Sequence, residues 1–209
     1  MTLPSSKPVL GLIGAIGAGK TTAAAAFALR GGFVVDCDKL GHLALDLPNV
    51  RQQLVIRWGE RVLIPADGVN RRVIAGIVFG EPTERRALEA IVFPIIGDMT
   101  RTEMTKAQAD PNARFILLDA ATLLEADWGK MCDKIVYIDA PRDVRLQRLA
   151  ARSGWTSADL AAREAAQLPA AEKQRHAHAI ITNADSPDCL QLEVDRVLQK
   201  WDLFPEGRS

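Results

Sequence analysis

Five short apolar runs recur along the chain: Pro8 to Gly14 (PVLGLIG), Phe33 to Asp38 (FVVDCD), Arg114 to Ala120 (RFILLDA), Lys134 to Ala140 (KIVYIDA) and His178 to Asn183 (HAIITN). Within each, apolar residues follow one another instead of alternating with polar ones. That is the pattern of parallel strands covered on both faces by crossover helices. The runs TTAAAAFALRGG and PRDVRLQRLAARSG supply such helices. The pattern predicts an α/β fold with a doubly wound, five-stranded parallel sheet. About 75 residues separate the second run from the third, far more than a simple crossover needs. Helical spacing in LALDLPNVRQQLVIRWG and ERRALEAIVFPIIGDMTRTEMTKAQ predicts a helical insertion there.

Composition narrows the function. The 209 residues are 48% hydrophobic and 25% charged, which suits one α/β domain carrying an insertion. Lys and Arg number 26 and so do Asp and Glu, with no long block of like charge. No electrostatic footprint for nucleic acid or an anionic membrane follows, so a charged ligand has to be met by a local cluster. Cys37, Cys132 and Cys189 are widely spaced and lack CxxC spacing, which suits a reducing cytoplasm better than a disulfide framework or a zinc site. Lys7 followed by the apolar run from Pro8 imitates a secretory signal, but glycines and then Lys20 interrupt it. No stretch approaches the roughly 20 apolar residues that span a bilayer. The expectation is a soluble cytoplasmic protein, a monomer or weak homo-oligomer.

The strongest chemical signal is GAIGAGKT, Gly14 to Thr21, which fills every specified position of G-x-x-x-x-G-K-[ST]. It leaves an apolar strand and opens an alanine-rich helix. In that setting Gly14, Ala15, Ile16, Gly17, Ala18, Gly19, Lys20, Thr21 and Thr22 form a P-loop whose backbone N–H groups and helix N-terminus cradle the phosphates of ATP. Lys20 would reach the β- and γ-phosphates and Thr21 would bind Mg²⁺. A dinucleotide-binding G-x-G-x-x-G turn cannot be threaded through this segment, because Ile16 or Thr22 occupies a required glycine position.

Carboxylates follow at the same sheet edge. The second run ends in Asp36-Cys37-Asp38, and while the strand lasts the two acids point to opposite faces. One of them would accept the proton of an attacking hydroxyl or orient Mg²⁺; the alternative is an Asp capping the next helix. Asp119 ends the third run, as a Walker-B acid holding the metal does. Glu125 either lines an acceptor pocket or starts a helix. Arg145, Arg148 and Arg152 share one helical face, with Arg142 before them and Gly154 after. Such a stripe is either a solvated face or a lid that clamps ATP phosphates, Gly154 being its hinge. His42, His176 and His178 show no metal-ligand spacing, and the four tryptophans are scattered as packing residues.

Taken in order, these segments resemble the dephospho-coenzyme A kinase family over nearly the full length. VVDCDKLGH is similar to the family's V-D-A-D, DGVNRRVIAGIVF to D-G-x-I-D-R-x-x-L-x-x-I-V-F, LEAIVFPII to L-E-x-I-x-H-P-x-I, and LLDAATLLEADW to the D-x-P-L-L-F-E segment. The lid run of Arg145, Gln147, Arg148 and Arg152 and the tail residues Gln167, Lys173 and Asn183 continue the likeness. The resemblance implies transfer of the ATP γ-phosphate to the ribose 3′-hydroxyl of dephospho-coenzyme A, with Mg²⁺. It implies a P-loop core of residues 1–39 and 112–209, including a lid over about 142–172, and a helical acceptor domain of residues 40–111. It makes Asp38 the base, Lys20 and Arg148 catalytic groups on the phosphates, Asp36, Asp38, Arg71 and Glu125 acceptor-side residues, and Thr21 with Asp119 the metal ligands. Phe93 stands where the family has His, and Ala121-Thr122 replace its Pro-Leu. Another small-molecule P-loop kinase, for nucleosides, nucleotides or shikimate, would share loop and lid but lack the acceptor segments. A guanine-reading switch would need N-K-x-D, which does not occur.

Overall fold

The computed structural model of the chain describes residues 6–64 and 68–204; Asp67, which opens the DGVNRRVIAGIVF segment, lies outside them. In chain order the elements are β1 (Val9–Gly14), α1 (Lys20–Ala28), β2 (Gly32–Asp36), α2 (Cys37–Leu45), α3 (Pro48–Trp58), β3 (Leu63–Ile64), β4 (Gly68–Val69), α4 (Arg71–Val78) and α5 (Pro82–Ala109). They continue with β5 (Phe115–Asp119), β6 (Lys134–Asp139), α6 (Arg142–Ser153), α7 (Ser157–Ala165), α8 (Ala170–His176), β7 (Ala179–Thr182) and α9 (Pro187–Lys200).

The main sheet has the order β2-β5-β1-β6-β7. β1 runs parallel to β5 on one side and to β6 on the other, and β7 is parallel to β6. One face packs Leu10, Leu12, Phe115, Leu117, Val136 and Ile138 against Phe27 of α1 and Leu190, Val194 and Leu198 of α9. The alternate residues Ile13, Ile116, Leu118 and Tyr137 are equally buried, and α8 lies against β1 and β6. Burial on both sides is why the apolar runs are continuous. One expected strand ends early. The run to Asp38 stops at Asp36, and Cys37 and Asp38 already belong to α2, because the Asp36 carboxylate accepts the Lys39 N–H at 2.8 Å and turns the chain into a helix.

The chain divides into two compact units, one of Met1–Val35 with Met104–Ser209 and the other of Asp36–Glu103. The second contains α2 to α4, the short β3–β4 pair and most of α5. Its helical pattern breaks at Leu47 because Pro48 opens α3, whereas Pro94 is carried inside α5. Trp58 donates its indole N–H to Glu84 at 2.7 Å, and Arg57 pairs with the same carboxylate at 2.9 Å. Among the described residues no helix is long and apolar enough to cross a membrane.

Phe27 and Phe115 meet edge to face, with ring centroids 6.2 Å apart, and both are fully buried. Phe115→Ala is expected to cost about 3–5 kcal/mol of unfolding free energy, read from the urea midpoint of equilibrium denaturation.

Candidate active site

β1 delivers the glycine-rich turn while still in register, since the Ala15 N–H reaches the Ile138 carbonyl of β6 at 3.0 Å. The turn then tightens through Gly17 (φ 80°) and Gly19 (φ 88°), both in the left-handed region. Neighbours make the same demand as the dihedrals. A Cβ on Gly17 would stand 2.8 Å from Leu149 Cδ1, and one on Gly19 would collide with the Asn183 amide. Gly19 is also the N-cap of α1 and brings no side-chain cap. The positive end of the helix is therefore left to an external anion. Thr21 and Thr22 are exposed on its first turn.

Lys20 and Asp119 come together. Register places Asp119 opposite Leu12, at the end of the strand beside β1, and its carboxylate receives an ion-pair hydrogen bond from the Lys20 ammonium. Asp119 is only 8% exposed, so its charge is held in a poorly solvated place next to the cation that the loop supplies.

The arginine stripe separates by depth. Arg145 is buried: Nε donates to the Ala140 carbonyl at 3.0 Å, and Nη1 donates to the Ile16 carbonyl at 3.1 Å and to Glu164 Oε1 at 2.7 Å. These bonds brace the loop and commit the guanidinium, although Arg145 shares its helical face with Arg148 and Arg152. Arg148 lies one turn on, and its Nη1 donates to the Asn183 carbonyl at 3.0 Å and the Ala18 carbonyl at 3.4 Å. Arg152 is exposed. Gly154, with φ 68°, is the C-cap of α6.

Asn183 received no role from sequence reasoning, yet it is buried, and its amide donates to the Ala18 carbonyl at 2.7 Å. The available signal was its position at the end of the fifth apolar run, hence at the sheet edge that carries the loop. Glu125 begins no α-helix. Its Oε1 accepts the Leu168 N–H at 3.0 Å and lies 3.3 Å from the Lys173 ammonium, which is buried and also bonds Gln167 and the Ala121 carbonyl.

In the second unit, Asp36 caps α2 and Asp38 stands exposed in that helix's first turn. Arg71, at the start of α4, pairs with Asp46 at 3.0 Å and donates to the His42 carbonyl at 3.3 Å. Burial opposes ionisation of Asp46, but the Val69 N–H, Arg71 and Arg51 outweigh it and hold the carboxyl below its ordinary range. Arg71 is thus half-exposed and oriented by a fixed carboxylate.

Comparison with known proteins agrees with this geometry. The family model described as Dephospho-CoA kinase matches residues 8–188. A dephospho-CoA kinase of Anaeromyxobacter dehalogenans is 37% identical over 193 residues, covering 91% of this chain and 90% of that one. A Thermus thermophilus crystal structure superposes with a TM-score of 0.79 at 30% identity, over 94% of this chain and 98% of that one. The dephospho-CoA kinase of Campylobacter jejuni shares the fold with a TM-score of 0.67 at 21% identity, over 92% and 96% of the two chains. With a P-loop on the central strand of a parallel sheet and a family match spanning most of its length, this chain belongs to the dephospho-CoA kinase family and is a P-loop kinase.

Proposed function

We propose that the protein transfers the γ-phosphate of ATP to the ribose 3′-hydroxyl of dephospho-coenzyme A, giving coenzyme A and ADP in the cytoplasm. The observation that carries this reading is the Lys20–Asp119 pair beside the open N-terminus of α1, in a chain of this family. The loop N–H groups and Lys20 bind the phosphates, and Lys20 exchanges its carboxylate partner for them. Arg148, held on the Ala18 carbonyl of the loop and the Asn183 carbonyl after β7, is assigned to the charge that develops during transfer.

Mg²⁺ suits the residues present. Thr21 offers a hydroxyl and Asp119 a carboxylate, both hard oxygen donors, and among the described residues no cluster of three or more His, Cys, Asp or Glu forms. A cation that keeps its waters and binds through one or two protein oxygens plus substrate phosphates fits such a set. When bound, it neutralises charge on the β- and γ-phosphates. Asp38 is assigned the proton of the acceptor hydroxyl, and Arg71 and Glu125 serve the acceptor side, Glu125 by holding the Leu168 segment.

ADP release should occur with dephospho-coenzyme A and fail with adenosine, AMP and shikimate; equal turnover of AMP would overturn the reading. In the same coupled assay Lys20→Ala should lose at least roughly 10²-fold in turnover while circular dichroism shows a retained fold. Asp38→Asn should lower kcat at least roughly 10²-fold with ATP affinity intact. Asp36→Asn should do less, because Asn still caps α2. Arg148→Ala should slow single-turnover transfer at saturating ATP, and Lys at 148 should rescue poorly, since a point charge does not reproduce the guanidinium fork. Arg145 will not substitute, being bonded to Ile16, Ala140 and Glu164. An unchanged chemical rate with only a raised KM for the acceptor would move Arg148 out of the phosphate site.

A further inference from the structure

Gly17 (φ 80°) and Gly19 (φ 88°), the two left-handed glycines of the loop, are the points at which its backbone turns over most cheaply. A glycine has no Cβ to separate positive from negative φ, so the peptide before it rotates with little steric penalty. That peptide is planar and trans, and its carbonyl and N–H point in opposite directions. Rotation would exchange an inward N–H for an inward carbonyl and set a partial negative charge against the phosphates. The residue types of the loop do not by themselves prevent this.

Both peptides are pinned from outside the loop. The Ile16 carbonyl, in the peptide before Gly17, accepts from Arg145 at 3.1 Å. The Ala18 carbonyl, in the peptide before Gly19, accepts from Asn183 Nδ2 at 2.7 Å and from Arg148 at the longer distance of 3.4 Å. Because a carbonyl only accepts, the nitrogen end of the amide must be the one that faces Ala18. Asn183 follows β7, and its backbone is fixed twice: the N–H donates to the Asp139 carbonyl of β6 at 2.7 Å, and the carbonyl accepts from Arg148 at 3.0 Å. The residue is 7% exposed. Its amide is therefore presented by the frame of the main sheet, and it fills the space that a Cβ at position 19 would need.

Resting on the ATP-dependent function proposed above, we infer that Asn183 is a positioning residue for the donor phosphates. Its amide holds the Ala18–Gly19 peptide with the carbonyl outward, so that the Gly19 N–H is turned to the phosphates before a nucleotide binds. It acts through the loop and contributes no group to the transfer. Without the amide a fraction of loops would present the carbonyl, and nucleotide affinity would fall by the reciprocal of the fraction still correctly turned. The loss belongs to donor binding. Once ATP saturates, the ligand itself keeps the peptide turned, so the chemical rate suffers less. This separates Asn183 from Arg148, whose assignment is to charge that develops during transfer.

The test uses two variants. Asn183→Ala removes the amide and keeps the backbone bonds to Asp139 and Arg148; Asn183→Asp keeps the shape and replaces the donor by a carboxylate. The Kd of ADP, measured by calorimetry, should rise about 10-fold in the Ala variant and at least as much in the Asp variant. KM for ATP should rise in step, KM for dephospho-coenzyme A should stay unchanged, and kcat at saturating ATP should fall much less than KM rises. The increase in Tm that ADP produces should shrink in both, a readout that holds even where a variant is less stable without ligand. Wild-type ADP affinity in Asn183→Ala would overturn the inference. So would a loss confined to Asn183→Asp, which would reflect charge repulsion alone, or an equal rise in KM for both substrates, which would reflect general loosening. A wild-type protein that binds no ADP would refute the donor reading beneath it. One that binds ADP but phosphorylates no dephospho-coenzyme A would refute the acceptor assignment, and the ADP comparison would still decide the role of Asn183.

Discussion

The parallel pairing of β1 between β5 and β6 is the constraint on which the rest of the active unit depends. Parallel strands deliver their C-terminal ends to one edge of the sheet. Because the chain leaves β1 with neighbours on both sides that come later in sequence, a crevice opens at that edge. The register sets Leu12 against Asp119 and Gly14 against Ile138, so the carboxylate and the loop arrive together. A one-residue slip would turn each strand's side chains to the opposite face. Full burial on both faces prevents it energetically, since every residue from Phe115 to Asp119 is buried.

A loop that wraps phosphate needs its N–H groups turned inward, and this requires its carbonyls to be satisfied elsewhere. Here the Ile16 carbonyl is taken by Arg145 and the Ala18 carbonyl by Asn183 and Arg148. Arg145 carries its charge into a buried position only because two carbonyls and Glu164 surround it. The cradle is therefore organised before any ligand arrives, which is where electrostatic catalysis gains most. Glu164 sits on α7, so the expected lid segment is tied through Arg145 to the loop.

Much of the fold was legible because its signals are local. Continuous apolar runs marked all five strands of the main sheet, and the run-to-helix junction marked the loop. The misreading of Asp38 as a strand residue came from a competition that periodicity does not register: Asp36 caps a helix more favourably than the strand can be prolonged. The two-residue strands at Leu63–Ile64 and Gly68–Val69 are too short to show any period.

The sequence by itself determined which residue types lie at the ends of which strands, hence a P-loop, a following Lys-Thr and an acid at the end of the third apolar run. Those features follow from short-range geometry, in which a glycine's dihedrals and a strand's alternation are set by immediate neighbours. Only the tertiary structure decided that Arg145 is a brace and Arg148 a half-buried group on the loop, although both occupy the same helical face. Depth distinguishes them, and depth depends on what packs above the helix, here Glu164 on α7 and Asn183 after β7. The same holds for Asn183, an ordinary strand-end residue in the sequence that acquires its role from partners at Ala18 and Arg148, more than 30 positions away.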